Sequence, residues 1–196
     1  MTMSEHVTEQ ITVHLQSVLS ASPQKASVTF LGVEPVDVLR FEADTQVVYI
    51  SVGCARHPMT DPTDLAADPL HGPRAEIVIR MAQKRELPGL HRSLALLAAA
   101  PSVEGIVLVP DALIDLGEPL WSGSSCTAVV LESDDIDDCP LPDPMSAVTF
   151  LRAVPVTGNE AAWVRLRGVD ALRRAWDEAG IDVADPDRIA ADPGAV

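Results

Sequence analysis

The stretch Ser146–Arg188 constrains the fold more than any other part of this chain. Ala147 to Val156 has the pattern of a buried strand and runs without a linker into Thr157-Gly158-Asn159-Glu160. That tetrad fits a capping box: the Thr hydroxyl accepts from the backbone N–H three residues on, and the Glu carboxylate reaches back to the Thr N–H. A helix therefore starts where the strand ends. In a second helix Val169, Leu172, Trp176 and Ala179 share one face, and Gly180 is placed to end it.

Upstream, Val7, Ile11, Leu15 and Val18 recur at helical spacing behind Ser4, a candidate N-cap, and Ser22-Pro23 stops that helix. Three β-rich runs follow at Ala26–Val33, Val36–Glu42 and Thr45–Val52, separated by short polar breaks that suit an antiparallel meander. Gly53–Pro73, with four prolines, is a long irregular segment of the kind that is often functional or mobile. Arg74–Met81 alternates as a strand, with Ala75, Ile77, Ile79 and Met81 on one face. Leu87, Leu90, Leu94 and Leu97 then mark a helix stopped by Pro101. Ile106–Val109 reads as a short strand, Asp111–Trp121 as a loop with a short extended piece, and Thr127–Glu132 as a further strand. The tail after Arg188 is expected to fray.

Charge narrows the partners. The chain has 196 residues, a net charge of −15 and 47% hydrophobic residues, so one domain with a substantial core is expected. Nucleic acid is excluded as a direct partner, because phosphate contacts need a basic stripe. An acidic surface attracts basic partners and speeds encounter, and it also keeps a chain soluble. No apolar run is long enough to span a bilayer, and the acidic N-terminus has no basic signal-peptide region, so the protein is expected in the cytoplasm. Cys54, Cys126 and Cys139 are odd in number and irregularly spaced, which reads as reduced thiols.

No catalytic or cofactor motif is complete. Cys54-x-x-His57 with His71 and His91 lacks the second tight ligand pair of a structural zinc site. A cysteine- or metal-dependent hydrolase built on Cys54, His57 and His71 is the competing reading, and a self-associating structural module is a third. Ser122-Gly123-Ser124-Ser125 lacks the Gly-x-Ser-x-Gly elbow, and both Gly-rich phosphate-loop patterns are missing. The acidic loop Glu132–Asp138 lacks the spaced ligands of a calcium loop. No cofactor and no metal are expected. Trp163 and Trp176 are expected in the core; Trp121, in a loop, is either core or a contact.

Four stretches in order resemble the suppressor-of-fused family: Gln46-Val47-Val48-Tyr49-Ile50-Ser51-Val52-Gly53; Ala75-Glu76-Ile77-Val78-Ile79-Arg80-Met81 with the helix after it; Gly117-Glu118-Pro119-Leu120; and Val148–Thr157 followed by Glu160 and two helices. The resemblance covers residues 26–188 and implies an α/β (α+β) sandwich: a curved, mostly antiparallel sheet with helices packed against it. Residues 1–25 would then form a helix packing on that domain and 189–196 a disordered tail. Its length is that of the family's single-domain bacterial form. The resemblance further implies a non-enzymatic protein-binding domain. The family's animal members bind transcription factors by adding a peptide strand, and Tyr49 matches a tyrosine near that groove. Bacterial members resemble immunity proteins, which implies a protein partner, in this case a basic toxin. The expected contact residues are Tyr49, Trp121, Asp134, Asp135, Asp137 and Asp138, together with the Gly53–Pro73 loop. Homo-oligomers fit the sequence equally.

Overall fold

A computed structural model describes residues 3–60, 68 and 70–191. Seven strands form one open sheet: β1 (Gln24–Val28), β2 (Val36–Ala43), β3 (Gln46–Val52), β4 (Arg74–Ala82), β5 (Leu113–Asp115), β6 (Cys126–Ser133) and β7 (Val148–Thr157). Their order is β1-β2-β3-β4-β7-β6-β5. All neighbours are antiparallel except β4 and β7, which run parallel in the centre. The sheet is thus mixed but mostly antiparallel, with helices on both faces.

Strand alternation assigns the faces. Ala75, Ile77, Ile79 and Met81 of β4 join Val47 and Tyr49 of β3 under helix α2 (Leu90–Glu104), as their spacing predicts. On the opposite face Leu39, Phe41, Val48 and Ile50 pack against Val7, Ile11 and Leu15 of helix α1 (Met3–Leu19). That same face continues over β6 and β7, where Val130, Val154 and Val156 meet helices α3 (Gly158–Arg167) and α4 (Val169–Ala179). The core is therefore two apolar layers with the sheet between them.

Several expected boundaries move. Val18 is 42% exposed, and Leu19, four residues beyond Leu15, packs in its place. β1 ends at Val28 because Phe30–Val33 turns, with Gly32 at φ +80° and the Val33 N–H donating to the Phe30 carbonyl at 3.4 Å. Pro101 does not stop α2. It removes one N–H but leaves the helix to run to Glu104, where left-handed Gly105 donates to the Pro101 carbonyl. Residues 106–109 form no strand; the Leu108 N–H turns to the Met59 sulfur at 3.3 Å instead of a ladder. In the long segment, Cys54–Arg56 forms a 3₁₀ turn, while residues 61–67 and 69 lie outside the described residues.

The strand-to-helix junction forms as its sequence dictates. Thr157 Oγ1 accepts from the Glu160 N–H at 3.3 Å, and Glu160 accepts from the Thr157 N–H at 2.8 Å. Glu160 also accepts from Trp176 Nε1 at 3.0 Å, from Arg188 at 2.7 and 2.8 Å, and from the Ala191 N–H at 2.9 Å. Ala191 is buried, so the segment expected to fray after Arg188 is pinned at least that far. Residues 192–196 lie outside the described residues. Burial alone would raise the Glu160 pKa; the Arg188 fork and the N–H donors outweigh it and hold the carboxyl at about 2.

Glu160 thus stabilises the fold fully above its ordinary value of 4.5, and that contribution is lost as pH falls through about 2. Glu160→Gln should lower stability at neutral pH by about 3 kcal/mol, because Arg188 is left buried without its counter-charge. It should also flatten the acid limb of a plot of urea midpoint against pH. An unchanged acid limb would show that Glu160 is not the group responsible.

Candidate partner-binding surfaces

The expected contact residues separate into different environments. Asp134 is not a free surface acid: its side chain is 1% exposed and is forked by Arg80 Nε at 2.9 Å and Nη2 at 2.6 Å. Arg80 points off β4 on the α1 face and needs a counter-charge there, so the loop's first aspartate turns inward. Arg80 also holds Asp135 at 2.7 Å, yet Asp135 remains 88% exposed. Asp137 and Asp138 are exposed. The loop is tied to α1 through its backbone, with His14 Nε2 2.8 Å from the Asp137 carbonyl and Gln10 donating to the Pro140 carbonyl at 2.6 Å. His14 in turn stacks on Phe150 at 5.9 Å.

Of the two readings open for Trp121, the structure takes the core. The residue is 2% exposed, packed in the layer under α2, and its backbone passes within 4.0 Å of where a Cβ on Gly89 would stand. It is not a surface contact. Tyr49 also lies in the sheet interior, on β3, whose two edges are taken by β2 and β4. No strand can be added beside it. Among the described residues, only β1 and β5 present open edges.

The β5 edge borders a groove. One wall is α2, and the other is the segment from Ile114 to Gly123. The Ser93 hydroxyl donates to the Leu120 carbonyl at 2.8 Å, and the Ser122 N–H donates to the Pro88 carbonyl at 2.8 Å, which together fasten the two walls. Two cavities of about 320 and 390 Å³ meet at Ser93, Leu96, Glu118 and Pro119, so the groove is continuous along α2. An apolar strip of Leu96 (43% exposed), Ala100 and Ile114 runs along it; its rim carries Glu104, Asp115 and Glu118 at the β5 end and Arg92 nearer the start of α2. Asp115 is paired with Arg165 at 2.6 Å; Glu104 and Glu118 are exposed.

The backbone makes β5 a template. The Leu116 N–H donates to Thr127 and the Ala112 carbonyl accepts from Leu131, both toward β6, so by alternation Leu113 and Asp115 direct their N–H and C=O outward. The sequence reading singled out Gly117-Glu118-Pro119-Leu120 only as a family marker. It missed α2's part in the groove, because Leu96 lies outside the leucine stripe that announced the helix.

The two histidines of the hydrolase reading take carboxylate partners outside that set. His57 Nε2 lies 3.3 Å from Glu34, His71 Nδ1 lies 2.6 Å from Asp68, and burial pushes the Cys54 thiol well above its ordinary value. No group of three His, Cys, Asp or Glu among the described residues is placed to hold a metal ion. The Cys54 turn is instead held by Glu76, a fully buried carboxylate the sequence reading did not single out. Glu76 accepts from the Gly53, Cys54 and Ala55 N–H groups at 2.7, 3.3 and 3.0 Å and from the Ser51 hydroxyl at 2.5 Å. Burial pushes Glu76 up to about 7 against the pull of those four donors. Ser51 can accept the Glu76 proton by rotating its hydroxyl. Glycine suits position 53 because the backbone there takes φ +143°, a conformation that side-chain-bearing residues rarely adopt. Arg74, also buried, donates to the Ala55 and Arg56 carbonyls at 2.7 and 2.9 Å and closes the far side of the turn.

This is an open, mostly antiparallel sheet with helices on both faces and a strand-edge groove, a fold class suited to protein docking. The family model for suppressor of fused protein (SUFU) matches residues 32–189, and the chain belongs to that family. Solved structures share the fold. A SUFU homolog from Neisseria gonorrhoeae FA 1090 is 20% identical with a TM-score of 0.65, covering 96% of this chain and 98% of that one. The matched chain of the Sufu–Fu complex is 16% identical with a TM-score of 0.63, covering 94% of this chain and 92% of its own. Drosophila Suppressor of Fused is 17% identical with a TM-score of 0.61; 94% of this chain covers 51% of that one. No curated protein matches the chain by sequence.

Trp121→Ala should destabilise the domain by about 3–5 kcal/mol in denaturant unfolding, as expected for a core aromatic. A loss below about 0.5 kcal/mol, the range of surface substitutions, would restore the contact reading. For Glu76 the sign is opposite to Glu160. Its raised pKa contributes stability fully below 4.5, and that stability is lost as pH rises through about 7. Glu76→Gln should therefore remove the fall in urea midpoint between those two values; persistence of the fall would assign it elsewhere.

Proposed function

We propose that this chain is a non-enzymatic protein-binding domain that docks an extended basic segment of a partner protein along β5 and the α2 groove. The observation that carries this reading is the open β5 edge beside an apolar strip whose β5 end is rimmed by acids. Outward backbone groups supply hydrogen bonds to an added strand, and the strip beside them accepts alternate side chains. Glu104 and Glu118 select cations, and the net charge of −15 steers a basic partner from a distance. Membership in a family with a member solved in the Sufu–Fu complex supports a protein partner. A toxin neutralised by this domain is the partner class that best fits the charge. The exposed acids Asp135, Asp137 and Asp138 lie on the opposite face of the sheet from the groove and serve in this reading as a general steering field. No helix among the described residues is long and apolar enough to cross a membrane.

The test is capture by the tagged chain from its own organism at low and high salt, followed by association kinetics with the captured protein. Reversing Glu104 and Glu118 together to Lys should slow association about tenfold at low salt, with the difference shrinking above about 0.5 M. Reversing Asp135, Asp137 and Asp138 should slow it less. Equal effects would remove the groove from the reading. Co-expression should relieve any growth defect caused by the partner alone; a harmless partner would remove the toxin assignment and leave the binding domain.

A further inference from the structure

A further cavity, of about 470 Å³, opens beside the start of α2 over the β1–β2–β3 corner of the sheet. Registry places Gln24, Arg40 and Tyr49 side by side across the three strands, all on the α2 face. Val38 and Leu87 complete an apolar floor, and His91 and Glu86 stand at the rim. The volume falls within the range of small-ligand pockets, about 300–1,000 Å³.

Arg40 is under-used for an arginine whose side chain is 17% exposed. Its Nη1 meets the carboxylate of Glu42, but its bonds to Gln24 and the Tyr49 hydroxyl are both 3.4 Å long. Among the described residues its Nη2 has only Glu86, at 3.7 Å, whose side chain is 83% exposed. The guanidinium lies over the Tyr49 ring at 5.9 Å, which fixes its plane. The Tyr49 hydroxyl receives Nε, and its own proton has no acceptor among the described residues. Two donors therefore face the cavity, the Arg40 Nη2 group and the Tyr49 hydroxyl, one for each oxygen of a carboxylate.

The geometry points to a binding site for a monocarboxylate with an apolar body, its head on Arg40 Nη2 and the Tyr49 hydroxyl and its body on Val38 and Leu87. A single negative charge suits the site. Glu42 stays on Nη1 and would repel a dianion such as phosphate, whereas Glu86 is loosely held and is displaced. A free small molecule and the C-terminus of a peptide share this head group, and the two are separated by the test.

The test uses the full chain with 3-phenylpropanoate, its neutral amide, and Gly-Gly-Phe with a free or amidated C-terminus, followed by calorimetry or ligand-observed NMR. The acid should bind with a dissociation constant of about 1 mM or tighter. The amide should bind at least about tenfold more weakly, the cost of one charge-assisted hydrogen bond. Arg40→Gln should lose the same factor. Arg40→Lys should lose most of it, because a single ammonium cannot hold Glu42 and also reach the ligand as two separate guanidinium nitrogens do. Glu86→Gln should tighten binding by removing the competitor. Should Arg40→Gln fail to fold, Tyr49→Phe keeps the ring and removes only the donor, and it should also weaken the acid. Tighter binding by the free-acid peptide assigns a C-terminus, and binding by 3-phenylpropanoate alone assigns a small acid. Equal binding of acid and amide, no binding of either acid at several millimolar, or a folded Arg40→Gln that binds as well as the original chain would overturn the proposal.

Discussion

One buried carboxylate, Glu160, holds the closing third of the molecule together. It joins the end of β7, the first turn of α3, Trp176 of α4 and the returning segment at Arg188 and Ala191. A charge in that position is costly to desolvate, and it is tolerated because every lone pair finds a donor and Arg188 supplies the counter-charge. Lys84–Asp185 and Arg85–Asp187 then lay the same returning segment along the end of β4. These outer pairs are exposed and add little; the position of the segment is set from within.

Glu76 plays the corresponding part at the other end of β4, with a different balance. It has four donors but no cation, so burial wins and its pKa rises where that of Glu160 falls. The two residues hold down the two irregular parts of the chain, the 3₁₀ turn after β3 and the return after α4. With both fastened, the sheet keeps its edges free. β5 is only three residues long, and its outer edge is left open beside the groove.

The face that carries α2 is where both proposed sites lie. α2 crosses the middle of the sheet and leaves a hollow on each side, one over β1–β3 and one against β5 and the loop after it. The opposite face is covered by α1, α3 and α4, and its acidic loop is partly consumed by Arg80 and by backbone ties to α1. A strongly acidic chain thus has exposed carboxylates on both faces but both proposed sites on one.

Local signals determined a good deal. The capping box, the alternation of β4, the α1 stripe through Leu15 and the Gly180 cap are each set by neighbours within a few residues, and each stands where the chain alone predicts it. The family and the sheet-plus-helices architecture were legible for the same reason, because ordered local patterns carry them. Tertiary structure decided what depends on distant partners. Trp121 looks like a loop residue until α2 covers it, and Asp134 looks like a surface acid until Arg80, 54 positions away, turns it inward. Ala191 is held by a carboxylate 31 positions earlier. The Gln24–Arg40–Tyr49 row exists only because three strands pair in one register. Burial and charge pairing act through space, and a sequence read along its length records only the groups that will take part.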